Sequence, residues 1–166
     1  MNPATKVVLR YIFPSEVEVA SDVTIVRSDS HLPAWLRDAN PGGWHPIEWD
    51  ELLDGRLGPW AMVVDCERVI SIAHTPVPMT DEVAECGVWT KPGSRGRGHA
   101  TASASMWAEV LRPSGRRLVY RTTEDNLSSR RVAERLRLRL VSRTEEPRDD
   151  HVSNLHPLSS VRQVSE

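Results

Sequence analysis

Val88-Trp-Thr-Lys-Pro-Gly-Ser-Arg-Gly-Arg-Gly-His-Ala100 is the stretch whose reading decides the fold. It begins as a strand, breaks at Pro92 and Gly93, and runs through Arg-Gly-Arg-Gly into an alanine-rich segment with helical character. Gly96 and Gly98 carry no Cβ, so backbone N–H groups there can approach a ligand closely. A helix N-terminus adds about half a positive charge and free N–H donors. Arg95 and Arg97 add full charges with forked donors. The combination is a receptor for a phosphate or pyrophosphate. A nucleoside-triphosphatase loop would need Lys followed by Ser or Thr after its second glycine, and this turn has neither. A dinucleotide-binding turn would need a third glycine at position 101, which is Thr.

Upstream of that stretch, Trp60–Val64 and Val69–Ala73 read as two short apolar strands joined by a turn of hairpin length at 65–68. Loop with Pro76 and Pro78 follows, and then a strand over Val83–Thr90. Downstream, Ala100–Leu111 reads as a helix closed by Pro113 and Gly115, Arg117–Arg121 as a strand, and the segment from Asn126 as a helix with Val132, Ala133 and Leu136 on one face. Leu138–Val141 suggests a final strand. The front of the chain offers a strand at Val23–Val26, a short helix over Pro33–Ala39 near Asp29 and Ser30, and a loop-rich stretch 41–60 with one short helix around Trp49–Leu53. Residues 1–20 read as an N-terminal arm with an extended stretch over Val7–Ile12, free to pair with a second copy's sheet and so to give a homodimer. Residues 21–166 read as a single domain. The fold class is α/β, or α+β, with a central sheet flanked by helices.

At 166 residues the chain has one domain's length, 39% hydrophobic and 27% charged residues, which fits a globular protein. No apolar run approaches the roughly 20 residues needed to span a bilayer, and no signal peptide is evident, so a cytoplasmic protein without membrane partners is expected. Cys66 and Cys86 make neither a disulfide framework nor a metal clip, and no metal is expected. Residues 1–83 carry 6 Lys+Arg against 13 Asp+Glu, and residues 84–166 carry 15 against 10. An acidic front half and a basic back half can present a cation site and an anion site on one surface, although solvated faces can differ as much by chance. A pI near 6.3 speaks against nucleic acid as partner, the Arg-rich stretch 112–143 notwithstanding.

The turn resembles motif A of the GCN5-related N-acetyltransferases, Arg/Gln-x-x-Gly-x-Gly/Ala, matched here by Arg95, Gly98 and Ala100. The strand before it, Ala84–Thr90, looks like the family's fourth. Asn126-Leu-Ser-Ser129-Arg-Arg-Val132-Ala-Glu-Arg-Leu136 is similar to the family's motif B, 31 residues after Arg95 and separated from it by one helix and one strand. The resemblance covers about residues 58–145. It implies a mixed central sheet splayed between the fourth and fifth strands, and an acyl-CoA site. The pantetheine amides would pair with the strand edge at Val88, Trp89 and Thr90. The pyrophosphate would rest on backbone amides from Arg95 through Gly96, Arg97, Gly98 and His99 to Ala100. Asn126 either bonds the pantetheine arm or caps its helix through the N–H of Ser128 or Ser129. Arg130 and Arg131 either reach the outer phosphate or form a solvated face.

Two positions depart from the family pattern. Arg137 stands where glycine usually takes a left-handed cap, at a cost of about 1 kcal/mol, which predicts a different helix end. Ala133 stands where many members place a tyrosine as general acid. Tyr120 is expected to pack in its strand. For transfer to a primary amine the leading base is Glu85, on the strand beside the thioester, although a structural ion pair would also explain it. His74 is a second, weaker candidate, as a loop residue near the cleft, with His45 and His99 weaker still. Cys86, on the opposite face from Glu85, reads as buried. The acceptor, a small-molecule amine or a protein N-terminus, is expected in 44–60, with Trp44, Trp49 and Trp60 as walls and Glu48, Asp50, Glu51 and Asp54 as carboxylates. The same residues also fit an amphipathic helix with a solvated acidic face. The implied activity is acetyl-CoA-dependent N-acetyl transfer by direct attack. The two departures keep open a catalytically silent acyl-CoA-binding module.

Overall fold

The computed structural model describes residues 4–148. Seven strands form one sheet: β1 (Thr5–Ile12), β2 (Thr24–Arg27), β3 (Ala61–Asp65), β4 (Arg68–His74), β5 (Val83–Thr90), β6 (Arg117–Thr123) and β7 (Arg139–Pro147). Their order is β2-β3-β4-β5-β6-β1-β7. All neighbours run antiparallel except β5 and β6, which are parallel and joined by the helix between them. The helices are α1 (Pro46–Leu53), α2 (His99–Leu111) and α3 (Leu127–Arg135), with a 3-10 turn over Ala34–Asp38. Among the described residues no helix is long and apolar enough to cross a membrane.

The stretch read as an arm is a strand inside the sheet. β1 pairs with β6 on one side and with β7 on the other, from Val8↔Thr123 and Thr5↔Pro147 onward. Both of its edges are hydrogen-bonded within its own chain, so it is not available to a neighbour's sheet. β7 supplies the second of those edges and runs to Pro147, beyond the Leu138–Val141 that the sequence suggests. Two other elements differ from expectation. α1 starts at Pro46, where proline suits a first helical turn, and His45 Nδ1 accepts from the Ile47 N–H (3.3 Å) as its cap. Asp29 and Ser30 cap nothing. Asp29 pairs with Arg27 and Ser30 bonds back to the Arg27 carbonyl.

Each face of the sheet has its own core. On one, α2 and α3 cover Leu9, Tyr11, Ala84, Cys86, Leu118 and Tyr120. The buried residues of α2 are the small Ala102, Ser103, Ala104, Ser105 and Ala108, which let the helix lie close, with Trp107 and Leu111 filling the core toward its C-terminal end. Its serines are satisfied there: Ser103 Oγ meets Ser71 Oγ at 3.0 Å, and Ser105 Oγ donates to Ala102 O at 2.9 Å. On the other face, α1 and the 3-10 turn pack Leu36, Trp49 and Leu52 on Met62, Val64 and Ile72, joined by Trp60 from the lead into β3. Indole N–H donors tie this layer together, Trp60 to Leu52 O (2.8 Å) and Trp49 to Arg37 O (3.1 Å).

α3 ends in a left-handed cap after all. Arg137 takes φ 56°, its N–H donates to Glu134 O (3.0 Å), and the N–H of Leu138 reaches back to Ala133 O (2.9 Å). These two bonds satisfy carbonyls the helix would otherwise leave open, and they hold an arginine where glycine is unstrained. Arg137→Gly should relieve about 1 kcal/mol of left-handed strain against about 0.4–1 kcal/mol for the added freedom of the unfolded chain, so the midpoint of thermal unfolding should not fall and should rise by less than about 2 °C. A calorimetric scan checks it.

Candidate functional site

β5 and β6 pair at Val83↔Arg117, Ala84↔Leu118, Glu85↔Val119 and Cys86↔Tyr120, and then separate. β5 continues to Thr90 while still pairing with β4 on its far side. The N–H of Lys91 donates to Ile70 O (2.8 Å), so alternation turns the backbone of Gly87 and Trp89 toward β4. Val88 and Thr90 turn theirs toward the open side. Thr90 O accepts from Arg95 Nε (3.1 Å), which folds the glycine-rich loop back on the strand end.

The opening is a cleft of about 420 Å³. Lining it are Val88, Trp89, Thr90, Arg95, Gly96, Gly98, His99, Ala100, Asn126 and Ser129, residues that the sequence brings together only by pattern. Arg97 is exposed and does not line it; the loop turns its side chain away between the two glycines. Gly96 and Gly98 take φ 78° and 84°, and a Cβ on Gly96 would meet nothing within 4 Å, so the loop is held open by conformation and not by contact. The first helical bond of α2 runs from the Ala102 N–H to Gly98 O, and the amides before it have no partner in the helix. Two side-chain atoms at this helix start, His99 Nδ1 and Thr101 Oγ1, are buried without a hydrogen-bond partner. Among the described residues, three arginines line the cleft, Arg95, Arg131 and Arg135, and no carboxylate does. Open amides, orphaned polar atoms and uncompensated positive charge fit an anion such as a diphosphate.

Asn126 caps α3, its Oδ1 accepting from the Ser129 N–H at 3.1 Å. Ser129 Oγ shares a 2.6 Å hydrogen bond with the hydroxyl of Tyr120. Tyr120 packs in the core, as its strand position suggests, but it also lines the cleft, as does its partner Ser129. Burial pushes its ionisation well up, so the hydroxyl keeps its proton. Arg131 and Arg135 were readable as an i, i+4 pair on the face of α3 that bears Val132. Thr101 and Tyr120 carry no motif signal at all, because only the closure of strand on helix brings them in.

Glu85 stands on the opposite face of β5 from Cys86, one residue before the last paired position. It is half-buried, and burial pushes its carboxyl above the usual range against the pull of Arg121 and then Arg10, with Glu146 adding to the rise. Both arginines also pair with Glu146, Arg10 at 3.5 Å. Cys86 is wholly buried and its thiol is pushed up, an inert core residue. His74 is buried, not a loop residue at a cleft. Its ring meets Trp44 edge-on at 5.2 Å, because it closes β4 beneath α1. Trp44, Trp49 and Trp60 are core as well and wall no open site. Asp50 and Asp54 are taken by Arg37 at 2.9 and 2.8 Å. Among the described residues no group of three or more His, Cys, Asp or Glu is placed to hold a metal.

The class of protein follows from this parted parallel pair with a glycine-rich, helix-capping turn at its mouth. Residues 6–139 match the family model described as "Acetyltransferase (GNAT) domain". The chain belongs to that family. Solved structures agree in fold. A GNAT-family protein from Novosphingobium aromaticivorans superposes with TM-score 0.62 at 24% identity over 86% of this chain and 63% of that one. An acetyltransferase of the GNAT family from Colwellia psychrerythraea gives 0.65 at 11% over 84% and 55%. A GCN5-related N-acetyltransferase-like protein from Streptococcus suis gives 0.55 at 20% over 87% and 63%. The chain thus spans under two thirds of each of these. Comparison with curated proteins gives no match.

Gly87, next to the parting, is closely framed. A Cβ there would lie 3.1 Å from His74 Cε1 and 3.1 Å from Pro76 Cγ. Gly87→Ala should cost about 1–3 kcal/mol by overpacking, read as a lower urea midpoint at unchanged slope.

Proposed function

We propose that this protein transfers an acetyl group from acetyl-CoA to the primary amine of a small molecule or a protein N-terminus, by direct attack of the amine. The observation that carries the reading is the open edge of β5 at Val88 and Thr90 leading into the amide cradle at the start of α2. Acetyl-CoA supplies the acetyl group activated as a thioester. The amides from Gly96 to Ala100, with Arg95, hold its diphosphate, and Arg131 and Arg135 extend the positive wall. The edge groups of Val88 and Thr90 pair with amides of the pantetheine arm. The Val88 N–H also points where it can donate to the carbonyl oxygen as charge develops there.

The amine must lose a proton to become the attacking nucleophile. Glu85 accepts it, directly or through water, and its raised pKa brings it nearer the operating pH. As the new C–N bond forms, the C–S bond breaks. Tyr120 then supplies what Ala133 cannot, an O–H donor toward the departing sulfur, with Ser129 orienting it. A cytoplasmic location and a homodimer remain part of this reading; the paired edges of β1 give the dimer no support.

Calorimetric titration with acetyl-CoA tests the site, and free-thiol release with a panel of amines tests the reaction. Saturable binding with thiol release is expected. Binding without release from any amine would instead favour the silent acyl-CoA-binding module, the reading that Ala133 supports. Two variants probe the roles. Below its pKa Glu85 holds a proton and cannot take the amine's, so kcat/KM should fall as pH drops through a value above the usual glutamate range. Glu85→Gln should remove that acid limb and lower the rate by about 10²-fold or more. Tyr120→Phe should lower kcat by about tenfold or more with acetyl-CoA affinity little changed.

A further inference from the structure

A second cavity, of about 400 Å³, lies between the end of α1 and the loop that follows β4. Its walls are apolar, from Leu57 and the run Pro76-Val77-Pro78-Met79. Glu48 opens into it. This side chain belongs to a residue only 9% exposed, and among the described residues it makes no hydrogen bond or ion pair. Its carboxylate oxygens are not shut off from the open cavity, so a cation entering there can meet them in a charge-assisted contact. Glu51, one turn along α1, lines the same wall. Two arginines also border the cavity. Arg116 gives its Nε to Thr80 O (2.6 Å), Arg56 is exposed at the rim, and neither forms an ion pair with Glu48. The floor is already satisfied: Thr75 Oγ1 donates to Pro59 O (3.0 Å) and accepts from Trp107 Nε1 (3.3 Å). Pro76 links the cavity to the cleft's apex, because it crowds the Cβ position of Gly87, the residue directly after the last β5–β6 pair.

We infer that this cavity is the acceptor's subsite, and that it takes an organic ammonium carried on an apolar body, with the charge held by Glu48 and the body against Pro76–Met79. The inference rests on the acyltransferase reading above, and the experiment separates the two. The folded full chain is titrated calorimetrically with n-hexylamine, with n-hexanol as its neutral analogue, and separately with acetyl-CoA. Saturable amine binding is expected, with the alcohol weaker by about tenfold or more, the worth of one charge-assisted contact. Glu48→Gln should lower amine affinity by a similar factor and leave acetyl-CoA affinity and the unfolding midpoint near those of the wild type. Val77→Arg, at a half-exposed rim position (43% exposed), adds a cation at the mouth and should weaken the amine likewise. Equal binding of alcohol and amine overturns the inference. So does amine affinity unchanged in both variants, or no saturable amine binding by a protein that binds acetyl-CoA. Amine binding that follows these expectations in a protein that ignores acetyl-CoA would leave the cation pocket standing and remove the acyltransferase reading.

Discussion

The parallel pairing of β5 and β6 stops at Cys86 and Tyr120, and everything functional in this chain is arranged around the gap that opens there. A half-buried strand edge presents N–H and C=O groups that folding cannot leave without partners at no cost. The protein satisfies only part of the edge. Arg95 takes Thr90 O, and the remaining groups face a cleft whose other walls are helix N-terminal amides and arginines. Such an edge suits a ligand that carries both amides and phosphates.

Packing keeps the gap from closing. β5 is held from its other side by β4, and Ser71 of β4 bonds to Trp89 O, to Thr90 Oγ1 and to Ser103 of α2, each at 3.0 Å. That knot of hydroxyls fixes the end of β5 against the helix whose N-terminus forms the cradle. Small side chains along α2 permit the close approach, and a larger residue at 103 or 104 would lift the helix and move the cradle with it. On the β6 side, the Tyr120–Ser129 bond anchors α3 at the gap's other rim. The hydroxyl bonds that place the two walls are thus separate, while α2 and α3 share one hydrophobic core beneath them.

The two openings differ in charge: among the described residues, arginines are the only charged side chains along the cleft, and the second cavity is mixed, with Glu48, Glu51, Arg56 and Arg116. The basic residues lining the cleft, Arg95, Arg131 and Arg135, all come from the back half, and the carboxylates of the second cavity, Glu48 and Glu51, from the front half. Glu85 lines neither of them; it is half-buried beside Arg10 and Arg121, which pair with Glu146. Other acidic residues of the front half have purely structural partners. Asp50 and Asp54 clamp Arg37, and Asp29 clamps Arg27.

The sequence by itself determined the elements and the cradle. The strand over Val83–Thr90 carries its own hydrophobic pattern, Gly96 and Gly98 announce a turn that needs positive φ, and Asn126 announces a helix cap. These signals are local, set by the conformational preferences of neighbours in the chain, and they suffice to place the mouth of the cleft. Tertiary structure alone decided that residues 5–12 lie inside the sheet, since both partner strands are more than a hundred residues away and an extended apolar stretch reads the same in an arm as between two strands. It also decided that Trp44, Trp49 and Trp60 are core, that His74 is buried, and that Thr101 and Tyr120 face the cleft. Burial and facing are properties of what packs against a residue, and one-dimensional spacing carries only half of that contact.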